Sequence, residues 1–129
     1  MQANVSLTGI ILFAHDVERL KDFYINHFQF ELIEHDPRMW ALLKAGAVTL
    51  GLHRVGDEYL DGTDESFKAS KNVKFVFEIS EDIHEFRMQL TKQDVAMRDI
   101  KTFPNYNFWL CDGEDPEGNV FQLKQRKHI

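Results

Sequence analysis

Cysteine is almost missing from this 129-residue chain, and with Cys111 alone no intramolecular disulfide can form. Nothing in the sequence therefore requires an oxidising compartment. Positive charge is also short: 15 Lys and Arg stand against 21 Asp and Glu, for a net charge of −6. With no basic stripe to replace phosphate counterions, neither nucleic acid nor an anionic membrane is an expected partner, whereas a basic small ligand would be favoured. Met1 to Thr8 lacks a positively charged leader followed by a long apolar run, and no segment reaches the length of a membrane span, so a cytoplasmic location is expected. What the chain does have is 43% hydrophobic and 28% charged residues, enough for one compact domain with its own core. Eleven Phe and two Trp are generous for this length; such chains pack thick sheets or line a cavity.

The stretch from Cys111 to Leu123 organises the rest. Within it, Asp115-Pro116-Glu117-Gly118-Asn119 reads as a tight turn, with Pro116 presetting φ, Gly118 or Asn119 taking positive φ, and Asp115 bonding back to the backbone. Phe108 to Cys111 before it and Val120 to Leu123 after it are rich in β-formers, which predicts an antiparallel hairpin.

Further elements follow from periodicity. Gly9 to Ala14 is a continuous apolar run suited to a buried strand, and Asp16 stands as N-cap to a helix with Val17, Leu20, Phe23, Tyr24 and Phe28 on helical spacing. Three strands are expected over Phe30 to Ile33, Met39 to Leu43 and Val48 to Leu52, broken at His35-Asp36-Pro37 and Ala45-Gly46. An acidic connector runs from Gly56 to Lys71. Val73 to Ile79 then alternates strictly, Ser80 is the expected cap of a helix reaching about Gln93, and three strands follow around Val95 to Ile100, Asn107 to Cys111 and Val120 to Lys124. The first of these is weakened by Phe103-Pro104-Asn105.

Strand, helix and three strands thus occur twice: an α+β chain of two tandem βαβββ modules, residues 1–55 and 72–129, joined by residues 56–71 in one domain. Each module leaves one sheet face without a helix, and two such faces can curl into a cleft.

Ile10 to Tyr24 is similar to the strand, Asp, helix and Phe-Tyr signature of the glyoxalase, bleomycin resistance protein and extradiol dioxygenase superfamily, the vicinal oxygen chelate fold. Phe28-Gln29-Phe30 stands where that family often has Leu-Gly-Phe, and Asp115-Pro116-Glu117-Gly118-Asn119 resembles its second signature, so the resemblance covers nearly the whole chain. Gln29 departs from the usual Gly, and the turn from helix to strand must be made without it. The resemblance implies a curved mixed sheet around a cleft and, in the family's enzymes, a divalent metal held from four strands. Carried over, the ligand positions are Gly9, Gly51, Lys74 and Gln122; a slip of one residue at Lys74 would substitute Phe75. Two glycines, a protonated amine and a neutral amide are not the anionic or imidazole donors such a metal needs, so no metal and no cofactor are expected. The chain is similar in length, acidity and aromatic content to the metal-free bleomycin resistance proteins, acidic dimers that sequester a flat, basic antibiotic.

Strand phase selects a cleft wall of Phe13, Trp40, Gly51, His53, Lys74, Glu78, Trp109, Cys111 and Gln122. His53 could hydrogen-bond a ligand or pair with an acid, whereas His15, His27, His35, His84 and His128 read as surface residues. Lys74 and Glu78 could pair with each other, or Glu78 or Gln122 could anchor a ligand amine or amide. Trp40 and Trp109 each suit core packing, dimer packing or a stacking platform. Cys111 reads as a small buried residue rather than a nucleophile. The connector, with Tyr59, Leu60 and Phe67, is either a solvated link or a lid.

The expected function is binding and sequestration of a small molecule by a homodimer, without catalytic residues. The alternative is a glyoxalase-like lyase, isomerase or ring-cleaving dioxygenase, which would need a metal and a proton-transfer group. A third is a structural module whose cleft is filled by its own side chains.

Overall fold

A computed structural model of the chain describes residues 6–55 and 73–128; the connector, with its lid reading, lies outside them. The chain divides into two compact units, Met1–Phe67 and Lys68–Ile129. The first contains β1 (Gly9–Ala14), α1 (Val17–Phe28), β2 (Glu31–Asp36), β3 (Trp40–Ala45) and β4 (Val48–Arg54). The second contains β5 (Lys74–Glu78), α2 (Ile83–Lys92), β6 (Ala96–Met97), β7 (Phe108–Glu114) and β8 (Val120–Arg126). Each unit forms one four-stranded mixed sheet, in the order β1-β4-β3-β2 and β5-β8-β7-β6, with its first and last strands paired in parallel. This is the doubled βαβββ, α+β architecture.

Alternation along the strands separates two faces in each sheet. In the first unit, Ala14, Ala41, Leu43, Leu50 and Leu52 are buried together with Val17, Leu20, Phe23 and Tyr24 of α1, which packs on β3 and β4. The intervening residues point the other way, so Ile11 is 58% and Phe13 66% exposed. In the second unit, Phe75, Phe121 and Leu123 are buried with Ile83 and Leu90 of α2. Gln125 joins them because its side-chain oxygen accepts from the Ile83 amide at 2.8 Å, closing one of the helix's unpaired N–H groups.

Local chemistry sets the ends of the elements. Asp16 caps α1 by accepting from the Arg19 amide at 3.1 Å. At the other end Gln29 takes the left-handed conformation, φ 59°, and donates its N–H to the Ile25 carbonyl at 2.9 Å, doing in a strained conformation what glycine does without strain. The cap of α2 is Asp82, not Ser80: its carboxylate accepts from the His84 and Glu85 amides at 2.8 and 3.3 Å. Ser80 lies too far upstream to reach the first turn. In the Asp115 turn, Gly118 takes the positive φ, 84°, while one Asp115 carboxylate oxygen accepts from both the Glu117 and Asn119 amides at 2.9 Å.

Several strands run past their expected ends. β2 continues to Asp36, β4 to Arg54 and β7 to Glu114, because each extra residue finds a ladder partner: Trp40, Ala14 and Val120 respectively. β6 shrinks to two residues, since Pro104 and the turn around it leave only an isolated bridge between Lys101 and Leu110.

Replacing Gln29 with glycine should raise stability by roughly 0.5–1 kcal/mol, because relief of the left-handed strain exceeds the added entropy of the unfolded chain. Urea denaturation of Gln29→Gly, with an unchanged m-value, measures it; a loss of stability would contradict the strain.

Candidate functional site

The sheet face of the first unit that lies away from α1 carries an ordered aromatic row. Parallel pairing of β1 with β4 sets Phe13 opposite His53, and antiparallel pairing of β4 with β3 sets His53 opposite Trp40. The rings meet edge to face, 5.8 Å apart for Phe13 and His53 and 6.0 Å for Trp40 and His53. His53 is exposed between them and has both rings as neighbours. In the next row Ile11, Gly51 and Leu42 are aligned, with Glu34 beyond.

Two features fix the indole of Trp40. Its Nε1 donates to Glu34 Oε1 at 2.9 Å. Its six-membered ring rests over Gly51: a Cβ on that glycine would lie 2.6 Å from Cη2 and 3.1 Å from Cζ3 of the ring, and 3.1 Å from Ile11 Cγ1. Real carbon atoms do not approach so closely, so a side chain at position 51 and the indole in its present place exclude one another. The hairpin that carries Trp40 is tied in turn to α1. Glu18 Oε2 accepts from His35 Nε2 at 2.8 Å and from the Arg38 amide at 3.0 Å. The His35 and Arg38 bonds, aided by Lys21, outweigh slight burial and bring the Glu18 pKa from its ordinary 4.5 to about 2.

The corresponding face of the second unit is ionic. Lys74 Nζ donates to Asp112 Oδ2 at 3.0 Å, and the Gln122 amide donates to Asp112 Oδ1 at 3.0 Å. Arg98 approaches the same carboxylate at 3.8 Å and Glu114 at 3.2 Å. Asp112 is only 7% exposed. Burial pushes its pKa up, but the bonds from Lys74 and Gln122 outweigh that, and the carboxyl sits below the usual aspartate range.

Phe13, Trp40, Gly51 and His53 thus share one face of the first sheet, and Lys74, Glu78 and Gln122 share one face of the second. Trp109 and Cys111 do not join them. They pair with Gln125 and Leu123, on the side that meets α2, where Trp109 stacks edge-on against His84 at 5.7 Å. Cys111 is fully buried, its Sγ donates to the Arg98 carbonyl at 3.2 Å, and burial pushes the thiol pKa up, so it remains protonated. Lys74 and Glu78 do not pair with each other: Lys74 turns to Asp112, and Glu78 stands opposite Lys124. Of the histidines expected at the surface, His35 bonds to Glu18, His84 meets the Asp82 carboxylate at 3.3 Å, and His15 and His27 are half-buried with their Nδ1 atoms covered.

Asp112, Glu34 and Glu18 were not singled out by the sequence. Counting ladder pairs outward from the Asp115 turn would have brought Asp112 beside Gln122. Glu34 offered no such signal, because a register shift between Leu32 and Glu34 breaks the phase of β2.

The family's metal positions can be tested on this geometry. At Gly51 the space for a ligand side chain is filled by Trp40, and at Gly9 a Cβ would lie 2.7 Å from Thr49 Oγ1. Lys74 and Gln122 each turn a nitrogen to Asp112, which leaves the neutral Gln122 amide oxygen as the one side-chain lone-pair donor among the four positions. The four positions do not supply the donor set a divalent ion takes, and among the described residues no three His, Cys, Asp or Glu side chains are grouped to hold one. No helix among the described residues is long and apolar enough to cross a membrane.

No family model and no curated protein sequence matches the chain. Solved structures do. A lactoylglutathione lyase from Agrobacterium tumefaciens superposes with a TM-score of 0.74 at 17% identity over 96% of both chains. TnmS3, an antibiotic-binding protein from Streptomyces sp. CB03234, gives 0.72 at 21% identity over 98% of this chain and 100% of its own. The fosfomycin resistance protein FosX from Listeria monocytogenes gives 0.69 at 14% identity over 98% and 96%. The chain therefore has the glyoxalase/bleomycin resistance fold, that of the vicinal oxygen chelate superfamily. Within it stand proteins that bind or resist antibiotics as well as a lyase.

Alanine at position 51 should displace the indole, shift Trp40 fluorescence and cost about 1–3 kcal/mol. An unchanged spectrum in a Trp109→Phe background would show that the ring is not seated there. Glu18 contributes stability that is complete above its unfolded value of 4.5 and is lost as pH falls through about 2. Acid titration of Glu18→Gln should accordingly show a shallower loss of stability between pH 5 and pH 2 than the parent, roughly one group's proton uptake less.

Proposed function

We propose that the chain is a non-catalytic binding protein that holds a small, flat, aromatic or basic molecule without a metal, as a homodimer in the cytoplasm. The observation that carries this reading is the indole of Trp40 seated over Gly51, in the place the family's enzymes give to a ligating carboxylate. A ring row of exposed Phe13 and His53 and half-buried Trp40 offers edges and faces for stacking, and Glu34 holds the Trp40 indole while adding negative charge beside it. The net charge of −6 favours a basic ligand over an acidic one. The likeness in fold to an antibiotic-binding protein and to a fosfomycin resistance protein supports a role in sequestration. Dimerisation rests on the resemblance to the small bleomycin resistance proteins.

A metal-dependent lyase or dioxygenase on this fold would need several anionic or imidazole ligands, whereas Gly9 and Gly51 have no side chain, the Lys74 ammonium is held on Asp112 and Gln122 offers a single neutral oxygen.

The test is a thermal-shift screen with planar aromatic cations, ethidium among them, against matched uncharged aromatics. A binder at about one hundred times its Kd adds about 2.7 kcal/mol and raises the melting temperature by several degrees. The shift should vanish in Trp40→Ala and persist in Trp109→Phe. No shift with any planar compound, or an equal shift in Trp40→Ala, would remove the proposal.

A further inference from the structure

An open recess of about 430 Å³ lies wholly within the second unit, at the carboxyl ends of the parallel strands β5 and β8, beside the start of α2. That volume suits a small metabolite, and crevices beyond the carboxyl ends of parallel strands are where open sheets commonly bind ligands. Its walls carry charges of both signs, Glu78 from β5 and Arg126 from β8. Neither forms an ion pair within 4.0 Å with the other or with any described residue, although both stand in one pocket.

Arg126 is held by other means. Its guanidinium carbon lies 4.9 Å from the centre of the Phe108 ring, a cation–π contact that positions the group and leaves its N–H fork without an acceptor among the described residues. Ser80 and His128 add hydrogen-bonding groups to the same lining. The nearby helix terminus adds nothing, since the Ile83 amide is taken by Gln125 and those of His84 and Glu85 by Asp82. Recognition therefore falls to the two opposed side chains. An anion alone would satisfy Arg126 and be repelled by Glu78; a cation alone would do the reverse. A ligand bearing both charges satisfies both with charge-assisted hydrogen bonds.

We infer that this cavity binds a small zwitterion of the α-amino-acid type, its carboxylate on Arg126 and its ammonium on Glu78. The site is separate from the aromatic face of the first unit, and its ligand class does not depend on what that face binds.

Calorimetric titration of the full chain with the common free L-amino acids tests it. At least one should bind, and its N-acetyl and carboxamide derivatives, each lacking one charge, should bind at least about tenfold more weakly. Glu78→Gln and Arg126→Gln, both at exposed positions and checked for native circular dichroism, should each weaken binding by a similar factor, while Trp40→Ala binds as the parent does. Absence of binding by every free amino acid at about 10 mM, or equal binding of the singly charged derivatives, would overturn the inference. Loss of ethidium binding with amino-acid binding retained would sink the proposed function alone.

Discussion

An indole ring and a side chain cannot occupy the same space above the middle of β4, and in this protein the ring has it. Gly51 supplies the vacancy, Glu34 turns the ring into it through a 2.9 Å hydrogen bond, and Ile11 closes the far side. The rest of the first unit serves that seat. Trp40 opens β3 directly after a hairpin tip, where a free-standing ribbon would be mobile. The tip is fastened to α1 by Glu18 through His35 and the Arg38 amide, and α1 is itself fixed by the burial of Val17, Leu20, Phe23 and Tyr24. This half-exposed histidine–carboxylate contact, partly screened by solvent, determines where the aromatic row stands.

The second unit solves the same sheet face with charge instead of rings. A carboxylate as shielded as Asp112 is costly unless its oxygens are met by donors, and Lys74 and Gln122 each meet one. The ammonium of Lys74 thus does within the protein what a bound cation does in a metal site: reaching from β5 across β8, it neutralises a buried anion on β7. Two modules of one topology have diverged into an apolar, stacking surface and a self-neutralised polar one. Proteins with this fold include both a lyase and an antibiotic-binding protein, so the fold leaves the chemistry to the residues on these faces.

The doubled architecture was legible because period-two and helical spacing are strong where a strand or helix buries one face. Asp16, Gly118 and the alternation of β5 marked their elements directly, and the face shared by Phe13, Gly51 and His53 followed from phase. Ladder pairing was less legible. Trp109 and Cys111 were placed with Gln122 although β7 sets them opposite Gln125 and Leu123, a matter of register that no single strand reveals. The irregularity near Ile33 concealed Glu34 in the same way. Asp82 displaced Ser80 as a cap because two potential capping residues lay within one turn and only packing of Ile83 chooses between them. Long-range polar contacts such as Glu18 with His35 leave no local signature at all.

The central claim is that the face built on Gly51 recognises organic rings rather than a metal. Its most direct test is titration of the metal-free protein with zinc, nickel, manganese and iron(II) by calorimetry at neutral pH. The expected result is no binding tighter than about 1 mM at this face, with His53→Ala titrating as the parent does. Stoichiometric binding at micromolar concentration or below, lost in His53→Ala, would contradict the account.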